Sequence, residues 1–232
     1  MAQSRNPNLR AEITRIDPDI VARAAQFPSS ILADVNGRRG ALDGRIAAVC
    51  PACRMAGPAF TIDVSRAGDN LMIHAALAIA KPGDVLVIDG KADRSVALMG
   101  SIMMNTARQL GLGGVVVDAA VRDIDELRAL GFPVYAVGTN PNGPTKFVPG
   151  LLNVPISCGG VAVHPGDLVV GDADGVVVIQ RERAAALLPL ADKKVAEERA
   201  RLDEIAGRRN LRPGWLEPAL RAAGLLEEGA TL

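Results

Sequence analysis

The sequence predicts an α/β fold. Three observations carry this: apolar runs of strand length at residues 84–89 and 115–118, helical patterns between and beside them, and Gly or Pro stops after the elements. Helix and strand alternate over residues 69–137, as they do where strands pack beneath helices. Asp17 as N-cap and Pro18 at the first helical position open a short helix over residues 17–27. Ser29-Ser30 opens a second, and Asn36-Gly37 ends it. Residues 46–50 and 59–64 read as strands. Asp69-Asn70 precedes an apolar helix over residues 71–80, stopped by Pro82-Gly83. After the buried strand at 84–89, residues 97–110 are helical and Gly111 ends them. Residues 115–118 form the next buried strand, 124–130 a helix closed by Gly131, and 133–137 a strand.

Beyond residue 140 the pattern changes to short strands at 152–156, 161–163, 168–171 and 176–179, separated by Gly, Pro and Asp turns. A long helix follows over about 181–207, densely charged from Lys193 to Arg201, and a last helix lies near 215–223. No repeat or linker interrupts the chain. One domain is expected, with a core over about 29–180 and a helical arm over about 181–232.

Acidic and basic side chains balance at 26 each, and aromatics are 3% of the 232 residues, so neither a nucleic-acid footprint nor an acidic-membrane footprint is present. No stretch approaches the ~20 apolar residues of a membrane span, and the N-terminal stretch lacks an apolar signal core. Three Cys fit a reducing cytoplasm better than a disulfide framework. Cys50 and Cys53 have the spacing of half a zinc site or a redox pair, but no second pair accompanies them. Ordinary part-buried thiols are the expectation.

Arg122-Asp123 is the most informative pair. It follows the apolar run 114–118 and precedes a helix, so a guanidinium and a carboxylate arrive together at a strand end. An Arg fork matches a carboxylate or phosphate, and an Asp can hold a hard divalent cation. A helix-start carboxylate beside a surface Arg is the other reading. Gly100-Ser101-Ile102-Met103 lies within the 97–110 helical pattern and offers either backbone N–H groups to an anion or close helix packing. Gly68-Asp69-Asn70 reads as a cap or a ligand. His74 shares a face with residues 71, 75 and 78 and is expected against the core; His164 sits in an exposed turn. Residues 171–175 are too short for a calcium loop and read as a hairpin turn. No P-loop, dinucleotide fingerprint, serine elbow or HExxH is present.

Taken together, residues 68–76, 81–87, 114–123, 130–134 and 171–178 resemble the RraA-like family, over about 29–201. That family includes class II pyruvate aldolases acting on 4-hydroxy-4-methyl-2-oxoglutarate and 4-carboxy-4-hydroxy-2-oxoadipate, and the regulator of ribonuclease E activity. The resemblance implies an α/β/β/α sandwich with a C-terminal helical extension, assembled as a homotrimer or a dimer of trimers. It implies that Arg122 clamps the carboxylate of a small oxo acid, that Asp123 ligates Mg²⁺ or Mn²⁺, and that the backbone of Gly100, Ser101, Ile102 and Met103 completes the cradle, with Asn70 at its edge. Glu197 or Glu198 of a neighbouring subunit would complete the outer metal shell; a solvated helix face is the other reading of those two. The aldolases carry an acid, then twenty intervening residues, then Arg-Asp. Here that position is Ser101, which leaves carboxylate recognition intact and bears against aldol cleavage of the usual substrates. The competing functions are a non-catalytic regulator that binds a ribonuclease and, because Ser101 replaces the usual acid, a lyase for a different oxo acid.

Overall fold

The computed structural model describes residues 6–50, 52–209 and 211–232. The first five residues of the N-terminal stretch read above lie outside the described residues. Ten strands and seven helices follow in the order α1 (Pro18–Ala24), α2 (Ser29–Val35), β1 (Ala47–Ala48), β2 (Met55–Asp63), α3 (Leu71–Ile79), β3 (Val85–Met99), α4 (Ser101–Gln109), β4 (Gly114–Val121), α5 (Ile124–Leu130), β5 (Val134–Thr139), β6 (Leu151–Leu152), β7 (Ile156–Cys158), β8 (Val161–Val163), β9 (Leu168–Asp172), β10 (Gly175–Ile179), α6 (Arg181–Ala206) and α7 (Leu216–Ala222).

Strand β2 belongs to two layers. Its residues 59–63 pair in parallel with β3, and its residues 55–58 pair antiparallel with β9. The hydrogen-bonded path runs β1-β5-β4-β3-β2-β9-β10, with β6 also on β2 and β7-β8 a separate hairpin. Side chains alternate along each strand. Leu86 and Ile88 of β3 and Val115 and Val117 of β4 face one core with α3, α4 and α5. Val85, Val87 and Val116 face Val169, Val176 and Val178 across a second core between the strand layers. Leu168, Val170, Val177 and Ile179 face a third core with α1, α2 and the start of α6. Three apolar cores between four layers make the α/β/β/α sandwich, and the period of two along each strand builds it.

By compactness the chain divides into residues 1–191 and 192–232, the division falling inside α6. In the second unit α6 carries i,i+4 pairs, Lys193 with Glu197 at 3.8 Å and Lys194 with Glu198 at 3.6 Å.

Three expectations need correction. Residues 97–99 belong to β3 rather than to a helix, because Ala97 and Met99 pair with Ala120 and Val121 of β4 after register shifts. Gly100 is therefore the residue before α4 and not a helical one. Cys50 and Cys53 are joined by a disulfide rather than left as thiols. A turn in which the Cys53 N–H donates to the Cys50 carbonyl at 2.9 Å brings them together.

Candidate active site

The parallel strands end where the chain changes direction, and those turns form a cleft of 170 Å³. Its lining includes Asn70, His74, Gly100, Ile102, Met103, Arg122, Asp123 and Lys146. Gly100 turns the chain from β3 into α4, leaving the N–H groups of Ile102 and Met103 in the first helical turn without intrahelical acceptors. Arg122 and Asp123 join β4 to α5, and the Arg122 N–H is tied to the Met99 carbonyl at 3.0 Å. Asp123 takes a left-handed backbone, φ 62° and ψ 46°, uncommon for a residue other than glycine. That conformation turns its carboxylate back toward α4.

There the Asp123 Oδ2 accepts from the Ser101 N–H at 2.8 Å and from the Ser101 hydroxyl at 3.0 Å. The Arg122 Nε lies 3.9 Å away. The backbone N–H of Ser101, with its hydroxyl and the Arg122 charge, outweighs burial and holds the Asp123 carboxyl below the usual range. Among the described residues no donor reaches Asp123 Oδ1, and no acceptor claims the Nη atoms of Arg122. Gly100 permits this approach: a Cβ there would overlap Asp123 Oδ2 and stand 2.9 Å from Arg122 Cγ.

Asn70 is 3% exposed. Its Nδ2 donates to the Leu98 carbonyl at 2.8 Å, while its buried Oδ1 has no partner. His74 lies one turn along α3 on the same side as Asn70. The expectation that it packs in the core is incorrect: the buried face of α3 is Met72, Ile73, Ala76 and Leu77, and His74 opens to the cleft. Partial burial first, then the charge of Lys146, push the His74 imidazole below its ordinary value, so it is neutral near pH 7. Lys146 lies on the connection between β5 and β6, where no periodic pattern singles it out.

The sequence-predicted residues thus fall into two groups. Arg122, Asp123, Gly100, Ile102, Met103 and Asn70 line one cleft, with Ser101 behind it as a donor to Asp123. Glu197 and Glu198 lie in the other compact unit, each paired with a lysine. His74 and Lys146 are additions. The spacing of His74 from Asn70, four residues on a helix, is a signal that could have found the first.

Asp123 is the sole carboxylate lining the cleft, and no three His, Cys, Asp or Glu side chains converge as a metal cage among the described residues. This donor set suits Mg²⁺ or Mn²⁺, which take one or two carboxylates and fill their remaining positions with substrate oxygens and water. The unclaimed Asp123 Oδ1 is the oxygen that would hold it.

A family model described as RraA-like, Aldolase/RraA, matches residues 18–178. A curated relative from Halalkalibacterium halodurans, "Putative 4-hydroxy-4-methyl-2-oxoglutarate aldolase", is 40% identical over 189 residues, covering 82% of this chain and 90% of that one. Among solved structures, a protein from Pseudomonas syringae pv. tomato superposes with a TM-score of 0.74 at 26% identity, covering 84% of this chain and 96% of its own. Streptomyces coelicolor RraAS2, an unusual member of the RNase ES inhibitor RraA protein family, superposes with a TM-score of 0.71 at 30% identity, covering 82% and 99%. No helix among the described residues is long and apolar enough to cross a membrane.

Proposed function

Because the chain belongs to the RraA-like family, we propose that it is a divalent-metal-dependent carbon–carbon lyase. It cleaves a 4-hydroxy-2-oxo acid to release pyruvate and decarboxylates oxaloacetate as a side activity. The observation that carries this is the meeting, in one cleft, of an unclaimed guanidinium on Arg122 and an unclaimed carboxylate oxygen on Asp123. The aldolase relative supports the reaction class.

Each residue has a role in this reading. Arg122 grips the carboxylate at the pyruvyl end, and the first-turn amides of Ile102 and Met103 complete its cradle. Asp123 Oδ1 would hold the divalent cation, which would supply Lewis-acid chemistry at the oxo-acid head. Ser101 keeps Asp123 ionised and aimed. Asn70 Oδ1 is an acceptor at the cleft wall. Lys146, with His74 beside it, offers positive charge and a donor to the distal carboxylate of a diacid.

Aldol cleavage also requires a proton to leave the 4-hydroxyl group. Ser101 stands where the aldolases carry an acid, so this chain's own contribution to that transfer is reduced. We assign acceptance of the proton to a carboxylate of a neighbouring copy, Glu197 or Glu198, in a trimer or hexamer. Decarboxylation needs no such base, since the departing CO₂ leaves its electron pair to the oxo group. It is therefore the activity least affected by Ser101. The likeness to an RNase ES inhibitor, together with Ser101, favours one second reading, a non-catalytic regulator of a ribonuclease.

The test is pyruvate release from oxaloacetate and from 4-hydroxy-4-methyl-2-oxoglutarate, with Mg²⁺ and with EDTA. Mg²⁺-dependent release that EDTA abolishes supports the lyase. Equal rates under both conditions, or none under either, overturn it, and the absence of release favours the regulator.

A further inference from the structure

Asp69 is 1% exposed, and among the described residues no cation forms an ion pair with it. Its Oδ1 accepts from the Leu71 N–H at 3.0 Å, at the start of α3. Its Oδ2 accepts three more bonds, from the Thr145 hydroxyl at 2.7 Å, the Phe147 N–H at 2.8 Å and the Val148 N–H at 3.2 Å. Thr145 and Phe147 are the two neighbours of Lys146, so one carboxylate oxygen grips the chain on both sides of that lysine. Backbone bonds add to the grip: Asn70 N–H donates to the Thr145 carbonyl and Thr145 N–H to the Gly68 carbonyl, both at 2.9 Å.

Apolar packing does not hold this segment. Phe147 is 83% exposed, and residues 140–150 contain no helix or strand. Burying a carboxylate without a counter-charge is costly unless donors satisfy it, and here four do. Burial opposes ionisation, but the bonds from Phe147, Thr145, Leu71 and Val148 together hold the group below the usual carboxylate range. An ionised pin therefore joins the start of α3, which carries Asn70 and His74 into the cleft, to the loop that carries Lys146.

Resting on the lyase reading above, we propose that Asp69 is a positioning residue. It fixes Lys146 relative to the Arg122 end and so sets the preference for oxo diacids over oxo monoacids. Asp69 touches no substrate; it acts through Lys146. The Asp69→Asn change keeps the shape but breaks the pin. An amide accepts at one end and donates at the other, so its NH₂ must face either Leu71 N–H or the three donors of the loop.

The experiment is calorimetric titration of the full chain, saturated with Mg²⁺, with 2-oxoglutarate and with pyruvate. These probes share the oxo-acid head and differ in the distal carboxylate. Wild type is expected to favour 2-oxoglutarate. D69N is expected to weaken 2-oxoglutarate by about tenfold, the equivalent of ~1.4 kcal/mol, and pyruvate by less than about twofold. T145V, which removes one of the four bonds, falls between. D69N on a K146M background is expected to change the ratio no further than K146M alone. Equal weakening of both probes, an unchanged ratio, or an additive double variant overturns the inference and leaves the lyase reading standing. The same holds if wild type binds both probes equally. If wild type binds neither, the lyase reading falls and takes the inference with it.

Discussion

The two ends of the cleft are held by different means. At the Arg122 end every part sits at the terminus of a regular element: Gly100 between β3 and α4, Arg122 and Asp123 between β4 and α5. Strands buried on both sides fix those termini, and Met99 and Val121 pair directly. At the Lys146 end there is no helix or strand, and a buried carboxylate takes their place. A terminus of packed elements takes an added atom only by displacing the functional side chains beside it, because the backbone behind it is close-packed. A loop on a polar pin tolerates bulk at its tip but not a change in the pattern of donors and acceptors. Precision at one end is steric; at the other it is electrostatic.

The sharpest way to break this contrast is Gly100→Ala. Its Cβ would displace Asp123 Oδ2 and Arg122 Cγ, and misplacing reacting groups by about 1 Å costs on the order of 10²-fold in rate. We expect kcat/KM for oxaloacetate to fall by about that factor. The overlapped atoms are side-chain atoms at a cleft wall and can swing outward, so the melting temperature should move less than it does for Asp69→Asn. A rate near wild type would show that the Arg122 end is not sterically set.

Asp69→Asn is the complementary test on stability. Leaving a buried donor unsatisfied costs roughly 1–3 kcal/mol, so chemical denaturation should show a loss of about that size. Its pH dependence has a definite sign. Asp69 has a folded value below the ordinary carboxyl value of 3.8, so the unfolded chain binds the proton more tightly. Its stabilising contribution is complete above about pH 4 and is lost as pH falls through the folded value. The gap in stability between wild type and D69N should therefore narrow as pH falls below about 4. A gap constant to pH 3 would contradict the ionised pin.

The smallest effect is expected from Ser101→Ala. The hydroxyl bond to Asp123 is lost, but the backbone N–H bond at 2.8 Å remains. One hydrogen bond contributes about 1 kcal/mol, so oxaloacetate decarboxylation should change by no more than about fivefold. A loss as large as that of Gly100→Ala would make Ser101 part of the chemistry rather than a prop behind it.

The fold was readable because its signals are local. The continuous apolar runs at 84–89 and 115–118, and the caps and stops around them, are properties of neighbours in the chain. Boundaries slipped where pairing with a distant strand outweighed local preference, as in residues 97–99, whose helical pattern gave way to β4. The Arg122 end of the site was readable for the same reason: its guanidinium and carboxylate are adjacent in sequence and lie at a strand end. His74 was misplaced because two faces of α3 carry apolar residues, and the pattern alone does not say which of them meets the sheet.

What this sequence determined by itself is a layered α/β chain with an Arg-Asp pair at the end of a buried strand, because hydrophobic period and strand termini are written residue by residue. What only the tertiary structure decided is the other half of the cleft. Asp69 and Lys146 are 77 positions apart in the chain. Their connection runs through three hydrogen bonds to one carboxylate oxygen, two of them from backbone N–H groups, and every residue but proline carries one. No side-chain pattern can announce such a bond. It exists only once the chain has brought its polar groups within about 3 Å of one another.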